Sequence, residues 1–223
     1  MFSMEALGRL GEDAKAAIPK LLELAESEKQ MVGAISALSS MGDDAIPGLI
    51  NLYRHGTNKQ YLWVARAFRT QGANAAAAVP TLMADLQSSR SQRVTTAAWT
   101  LGYIGDKAKA AVPRLAELIQ AGDPQLRVLA AEALWRIDQQ TNAVLRVMVS
   151  ELSDWSKNPN ALRAQTTRGF FKPREETAAE VVGEIGPVAS EAIPFLQKML
   201  RRSYDSNKEA AAGSLKKIAR QSL

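Results

Sequence analysis

Apolar residues along this chain recur at helical spacing, in paired stretches joined by short turns. LGRLGEDAKAAIPKL at Leu7–Leu21 returns as LGYIGDKAKAAVPRL at Leu101–Leu115 and as VGEIGPVASEAIPFL at Val182–Leu196. In each copy the first residue stands twelve positions before the proline. Self-similarity of this kind predicts a solenoid of stacked helix pairs, in which one pair cannot bury its apolar face alone. The apolar residues before the turns are Leu7, Leu38, Phe68, Leu101, Leu134, Val182 and Leu215, spaced by 31, 30, 33, 33, 48 and 33.

The flanking positions support this alignment. Ala34, Val64, Ala97, Ala130, Ala178 and Ala211 lie four residues earlier, and Ile35, Ala65, Ala98, Ala131, Ala179 and Ala212 three earlier. Small side chains there predict closely packed helices, near the low end of the ~8–10 Å separation. Gly11, Gly42, Gly72, Gly105 and Gly186 are expected to stop the first helices in the αL conformation. Pro19, Pro47, Pro80, Pro113 and Pro194 suit the first turn of the second helices, where a missing N–H costs nothing. The fifth repeat lacks this proline and is expected to start its second helix near Asn142. The second repeat has a turn three residues short, at Met41–Pro47.

These residues resemble the HEAT repeat family, and most closely its short bacterial branch, the phycobilisome-lyase-type HEAT-like repeats. The pattern AALGxIGxxAxxAVPxLxxL is reproduced at Ala97–Leu118 and approximately at Ala178–Met199. The likeness implies an armadillo-like helical fold and says little about function. Its Val-Arg pair survives only as Leu126-Arg127. Some relatives are bilin lyases, so the resemblance keeps an accessory lyase role open. Metalloenzymes of the deoxyhypusine hydroxylase type use repeated His-Glu pairs, and this chain has none.

Composition narrows the chemistry. The 223 residues are 46% hydrophobic with no cysteine, which excludes disulfides, thiolate metal sites and a cysteine nucleophile. The one histidine, His55, stands before Gly56 and reads as a helix C-cap or surface residue. No P-loop, GxGxxG, GxSxG or HExxH is present. Asp43-Asp44 and Glu175-Glu176 fall at helix starts, where they complement the dipole. No catalytic residue, metal site or cofactor is therefore expected. No apolar run reaches the ~18 residues that span a bilayer. The segment MFSMEALGRLG lacks the core of a signal peptide, so a cytoplasmic location and no membrane contact are expected.

The net charge is +5, with 15 Lys/Arg against 14 Asp/Glu in residues 1–140 and 13 against 9 in residues 141–223. The expected concave face carries Lys20, Gly48, Thr81, Arg114 and Phe195, then Glu23, Asn51, Ala84, Glu117 and Lys198. A phosphate-tracking groove would repeat Lys/Arg there. Nucleic acid is thus possible but not favoured.

Three places break the repeat. Two before the aligned apolar residue stand Ser36, Arg66, Trp99, Glu132, Glu180 and Gly213; one after it stand Ser39, Arg69, Gly102, Trp135, Gly183 and Lys216. These positions share a helix face that is expected to be mostly exposed. Arg66, Arg69, Trp99 and Trp135 are residue types enriched at binding hot spots, although each Trp could equally fill an inter-repeat gap. Trp63 is expected to be semi-buried core. The second break is the 48-residue step, which inserts about fifteen residues between Trp155 and Glu175. Arg163, Arg168, Phe170, Phe171 and Lys172 make it basic and aromatic, suited to an anionic partner or to loop anchoring. The third is the N-terminal segment, where Phe2, Met4, Leu7 and Leu10 suggest an uncapped end, self-association, or a piece of a longer chain.

The reading is an all-α, right-handed α-solenoid of about six to seven HEAT-like helix pairs, one domain over residues 1–223 with an insertion at about 155–174. Its expected function is a non-catalytic scaffold or adaptor that binds a protein partner. The alternatives are nucleic-acid or anionic-ligand binding through the basic C-terminal third, and an accessory subunit of a bilin lyase.

Overall fold

The computed structural model describes residues 15–120, 122–158, 171–202 and 205–220. Most of these residues are helical, with no strand among them. The α-helices are α1 (Ile18–Glu26), α2 (Met31–Ser39), α3 (Ile46–His55), α4 (Asn58–Gln71), α5 (Val79–Asp85), α6 (Ser91–Ile104), α7 (Val112–Leu118), α8 (Pro124–Asp138), α9 (Thr141–Lys157), α10 (Arg174–Ile185), α11 (Ile193–Arg202) and α12 (Asp205–Arg220). Short 3₁₀ turns lead into the second helices at Gly42–Ala45, Gly72–Ala78, Gly105–Ala111 and Gly186–Ala192. The first of these has four residues where the others have seven, which accounts for the short turn of the second repeat.

The helices form an all-α solenoid of helix pairs, gathered in two compact units. One holds residues up to Arg114 with Arg136–Asp138, and the other Leu115–Trp135 with Gln139 onward. In the first unit α2 packs on α4, α4 on α6, and α3 and α5 each lie against the first helix of the following repeat. In the second, α10 packs on both α9 and α12, and α11 on α12.

Most of the aligned positions form the core, whereas Leu215 is half-buried. Leu38, Phe68, Leu101, Leu134 and Val182 are fully buried, as are Ala34, Val64, Ala97, Ala130, Ala178 and Ala211. Side chains of this size let helix axes approach. At Gly183 on α10 the approach is so close that a Cβ would meet the Ser214 backbone at 2.7 Å, and the Ser214 hydroxyl donates to the Ala179 carbonyl at 2.7 Å.

The helix stops differ from the expected αL caps. Gly72, Gly105 and Gly186 do have positive φ (56°, 73° and 79°), but their ψ values are −127°, −139° and −142°. That region is closed to any residue with a Cβ, because the side chain collides with its own backbone. The αL cap occurs in the fifth repeat, where Gln139 sits at φ 50°, ψ 38°. This repeat has no 3₁₀ bridge; α9 begins at Thr141, one residue before the expected start.

Capping elsewhere is side-chain based. Thr57 and Gln60 form a capping box at α4, and Gln60 also donates to the Ala25 carbonyl at 3.0 Å, tying α4 to the end of α1. Asp123 accepts from the Gln125 and Leu126 amides at the start of α8. A buried polar knot adds specificity to the first unit: the Tyr53 hydroxyl donates to Asp85 at 2.7 Å, Arg93 pairs with Asp85 at 3.3 Å, and its guanidinium lies 4.7 Å from the Tyr61 ring centre. Burial beside Asp85 pushes the Tyr53 phenol far above its ordinary value.

Candidate interaction surfaces

The face carrying Arg66, Arg69, Trp99 and Trp135 is not uniformly exposed. Ser36 and Arg66 are open to solvent, but Trp99 is only 6% exposed and Gly102 is buried. In the second unit Glu132 and Gly183 are buried as well. The expectation of a mostly exposed face is thus corrected, because Trp99, Gly102, Glu132 and Gly183 are buried in helix packing. Trp99 belongs to the core of the first unit. It does not stand out as a free aromatic anchor.

Arginines surround it. The Arg69 guanidinium lies 4.6 Å from the ring centres of both Trp99 and Tyr103, and Arg136 lies 4.3 Å from the Tyr103 ring centre and donates to its hydroxyl at 3.5 Å. Trp99 meets Tyr103 edge-on at 6.0 Å. One helix earlier, Arg66 stacks on Trp63 at 5.4 Å. Trp63 is half-buried, as its position predicts. The spacing explains the ladder: Arg66 follows Trp63 by three residues on α4 and Tyr103 follows Trp99 by four on α6, so each pair shares a face. Stacking holds the Arg66 and Arg69 guanidiniums flat and leaves their N–H edges available. A small groove of about 70 Å³ runs beside this row, lined by Ile35, Ser36, Ser39, Trp63, Arg66 and Thr70 among others.

Trp135 lies in the second unit. It is half-buried, and its indole N–H donates to Glu184 at 3.2 Å. Arg163, Arg168 and Phe170 lie outside the described residues, as do Phe2, Met4, Leu7 and Leu10. Phe171 is half-buried, and Lys172 pairs with Glu180 at 2.6 Å and approaches Glu176 at 3.8 Å. Its charge is therefore largely matched within the fold. Trp155, taken as the start of the inserted stretch, is instead the buried end of α9, 2% exposed.

On the second helices, Lys20 pairs with Glu23 at 2.6 Å, Arg54 donates to the Thr81 hydroxyl at 2.8 Å, and Arg114 donates to the Leu86 carbonyl at 3.3 Å. Each of these cations has a partner within the fold. His55 ends α3 as an exposed residue. Among the described residues no three His, Cys, Asp or Glu side chains gather as a metal site, and no helix is long and apolar enough to cross a membrane.

Residues 95–121 match the family described as PBS lyase HEAT-like repeat. Over that stretch the chain carries a HEAT-like repeat. The matched stretch is α6, its 3₁₀ turn and α7, the repeat that contains Trp99 and Tyr103. No curated protein matches the sequence. Among solved structures, the complex of CpcE and CpcF of phycocyanin lyase from Nostoc sp. PCC7120 aligns with a TM-score of 0.53 at 20% identity, over 97% of this chain and 88% of that one. A designed armadillo repeat protein aligns with a TM-score of 0.46 at 15% identity, over 90% and 99%. An engineered protein from the Northeast Structural Genomics Consortium gives 0.49 at 23% identity, over 99% and 98%. At such identities the phycocyanin lyase likeness speaks for the HEAT-like fold alone.

The arginine ladder was only partly legible in advance. Arg66 and Arg69 stood out as charged residues near tryptophans. Tyr103 and Arg136 did not, because a tyrosine in the turn approach and an arginine beside Trp135 carry no repeat signature.

Proposed function

We propose that this HEAT-like repeat protein is a non-catalytic interaction module that binds a protein partner through the first unit. The observation that carries this reading is the pair of guanidiniums of Arg66, stacked on Trp63, and Arg69, stacked on Trp99 and Tyr103. Such side chains are pre-ordered, so binding costs less conformational entropy than ordering free arginines would. Their edges suit carboxylates or backbone carbonyls of a partner, and the groove beside Trp63 accepts a small side chain. Trp99 acts beneath this surface as the platform for Arg69. Arg163, Arg168, Phe170, Phe171 and Lys172 are a second proposed contact, with Lys172 contributing least net charge.

The test is affinity capture with the native chain and with Arg66→Ala/Arg69→Ala. Both arginines are at least partly exposed, so the variant is expected to fold. A partner retained by the native chain and lost from the folded variant supports the reading; equal retention by both removes the ladder from the site. An accessory role in a bilin lyase is the alternative that the match at residues 95–121 raises. A coloured adduct on incubation with bilin and an acceptor protein would favour it.

A further inference from the structure

The excess positive charge of the chain is gathered on the last two helices of the second unit. Residues 193–220, which hold α11 and α12, carry seven Lys/Arg against Asp205 and Glu209, and that difference is the whole net charge of +5. The rest of the chain is balanced, 21 against 21. The two helices pack on one another. Arg201, Arg202, Lys208, Lys216, Lys217 and Arg220 are exposed and Lys198 is half-buried. None of the seven has a hydrogen bond or ion pair with a described residue.

Local structure accounts for part of this. Arg201 and Arg202 lie in the last turn of α11, and Lys217 and Arg220 in the last turn of α12, where cations complement the helix dipole. Lys198 and Lys216 come before those turns, and Lys208 stands in the first turn of α12, where a cation opposes the dipole. The end repeat of a solenoid needs a polar outer face, but either sign of charge meets that need. Elsewhere in this chain exposed cations are matched by acids, as Lys15 is by Asp44, Lys20 by Glu23 and Lys59 by Glu28. One sign left unmatched over two adjoining helices is the electrostatic footprint of an anionic partner.

We propose that the surface formed by α11 and α12 binds the phosphate backbone of duplex DNA without reading its sequence. This surface is separate from Arg66 and Arg69 and does not depend on them. The dimensions match. Lys208 to Arg220 covers about 18 Å of helix, and a helix packed alongside lies about 8–10 Å away. The same ~18 Å of duplex carries about ten phosphates, of which about half face one side. Ala212, Gly213 and Ala219 are exposed among the cations, and a Cβ at Gly213 meets nothing within 4 Å, so no bulky side chain there holds a duplex away. An acidic protein is disfavoured because protein contacts centre on desolvated aromatic or apolar anchors. The exposed large apolar residues among those described, Val32 and Val188, lie on neither helix. Single strands call for aromatic platforms, and Phe195 on α11 is half-buried. An RNA duplex presents 2′-hydroxyls across its wide minor groove. Those call for neutral hydrogen-bonding side chains, of which Gln197 and Ser206 are the exposed ones described here.

Fluorescence anisotropy on the full chain, with a labelled DNA duplex of about 24 base pairs and arbitrary sequence, tests this. Saturable binding is expected at about 50 mM NaCl, with a slope of log K against log salt of about −4 and a loss of at least about a hundredfold by about 200 mM. Lys216→Ala/Arg220→Ala, at exposed positions of α12, is expected to weaken binding at least about tenfold and to flatten the slope by about two. Arg201→Ala/Arg202→Ala on α11 is expected to act in the same direction. Lys29→Ala/Arg90→Ala removes as much charge from exposed positions of the first unit, and is expected to leave the affinity within about twofold. No saturable binding at the lower salt, a slope shallower than about −2, or a first-unit control weakened as much as the α12 variant would each overturn the proposal. So would tighter binding of poly-L-glutamate, of an RNA duplex of the same length or of phosphatidylserine vesicles, each of which reassigns the surface to that class of partner.

Discussion

Replacing Trp99 by alanine separates a packing role from a contact role. At 6% exposure nearly the whole indole is removed from water, and it touches both Tyr103 and the Arg69 guanidinium. A Trp→Ala change in such a site costs about 3–5 kcal/mol through lost transfer energy and the cavity left behind. Alanine returns about 0.5 kcal/mol of helix propensity on α6. Arg69 loses one of its two aromatic faces but keeps Tyr103 at 4.6 Å, so no buried charge is stranded. The net expectation is about 3 kcal/mol, which for a chain of this size lowers the melting midpoint by roughly 6–12 °C. Trp135→Ala is the internal control. Being half-buried with one hydrogen bond to Glu184, it should cost only about 1–2 kcal/mol. Far-UV circular dichroism melts of the two variants make the comparison. Equal midpoints for the two variants, or a Trp99→Ala midpoint within about a degree of the parent, would refute the core assignment of Trp99 and with it the account of how Arg69 is held.

Three further outcomes follow from the same geometry. Gly105→Ala and Gly105→Asn should each destabilise by about 1–3 kcal/mol, with Asn no better than Ala; a Cβ at Gly105 meets nothing within 4 Å, so the cost is purely conformational. Gln139→Gly, at a true αL position, should instead gain up to about 1 kcal/mol by denaturant titration, and rescue of Gly105 by Asn would contradict the ψ assignment. Thr57→Ala should cost about 1 kcal/mol through the lost capping box, and faster amide exchange confined to the start of α4 would localise it. Burial holds Glu151 and Glu176 above the ordinary carboxylate value of 4.5. The native chain therefore keeps protons that the unfolded chain has released, and their contribution to stability, present below that value, is lost as pH rises through the raised native values. Glu151→Gln should flatten this part of the melting-midpoint profile, and an unchanged slope would count against the shift.

The repeat, its phase and its core positions are determined locally, which is why the sequence alone carries them. Leu38, Phe68, Leu101, Leu134 and Val182, with the small residues three and four places earlier, specify one helix face whatever the neighbours are. Glycine followed eight residues later by proline marks where that helix stops and the next begins. Tertiary structure decided what depends on distances between repeats. Whether Trp99 is a platform or an anchor turns on the room that α4 and α6 leave between them, and identical neighbouring residues permit either. The glycine conformation was not legible because glycine suits both αL and its extended positive-φ counterpart, and only the path into the 3₁₀ turn chooses between them. The burial of Glu151 was invisible for the same reason: a glutamate on a helix reads as solvated until a neighbouring helix covers it and brings Arg174 to its carboxylate.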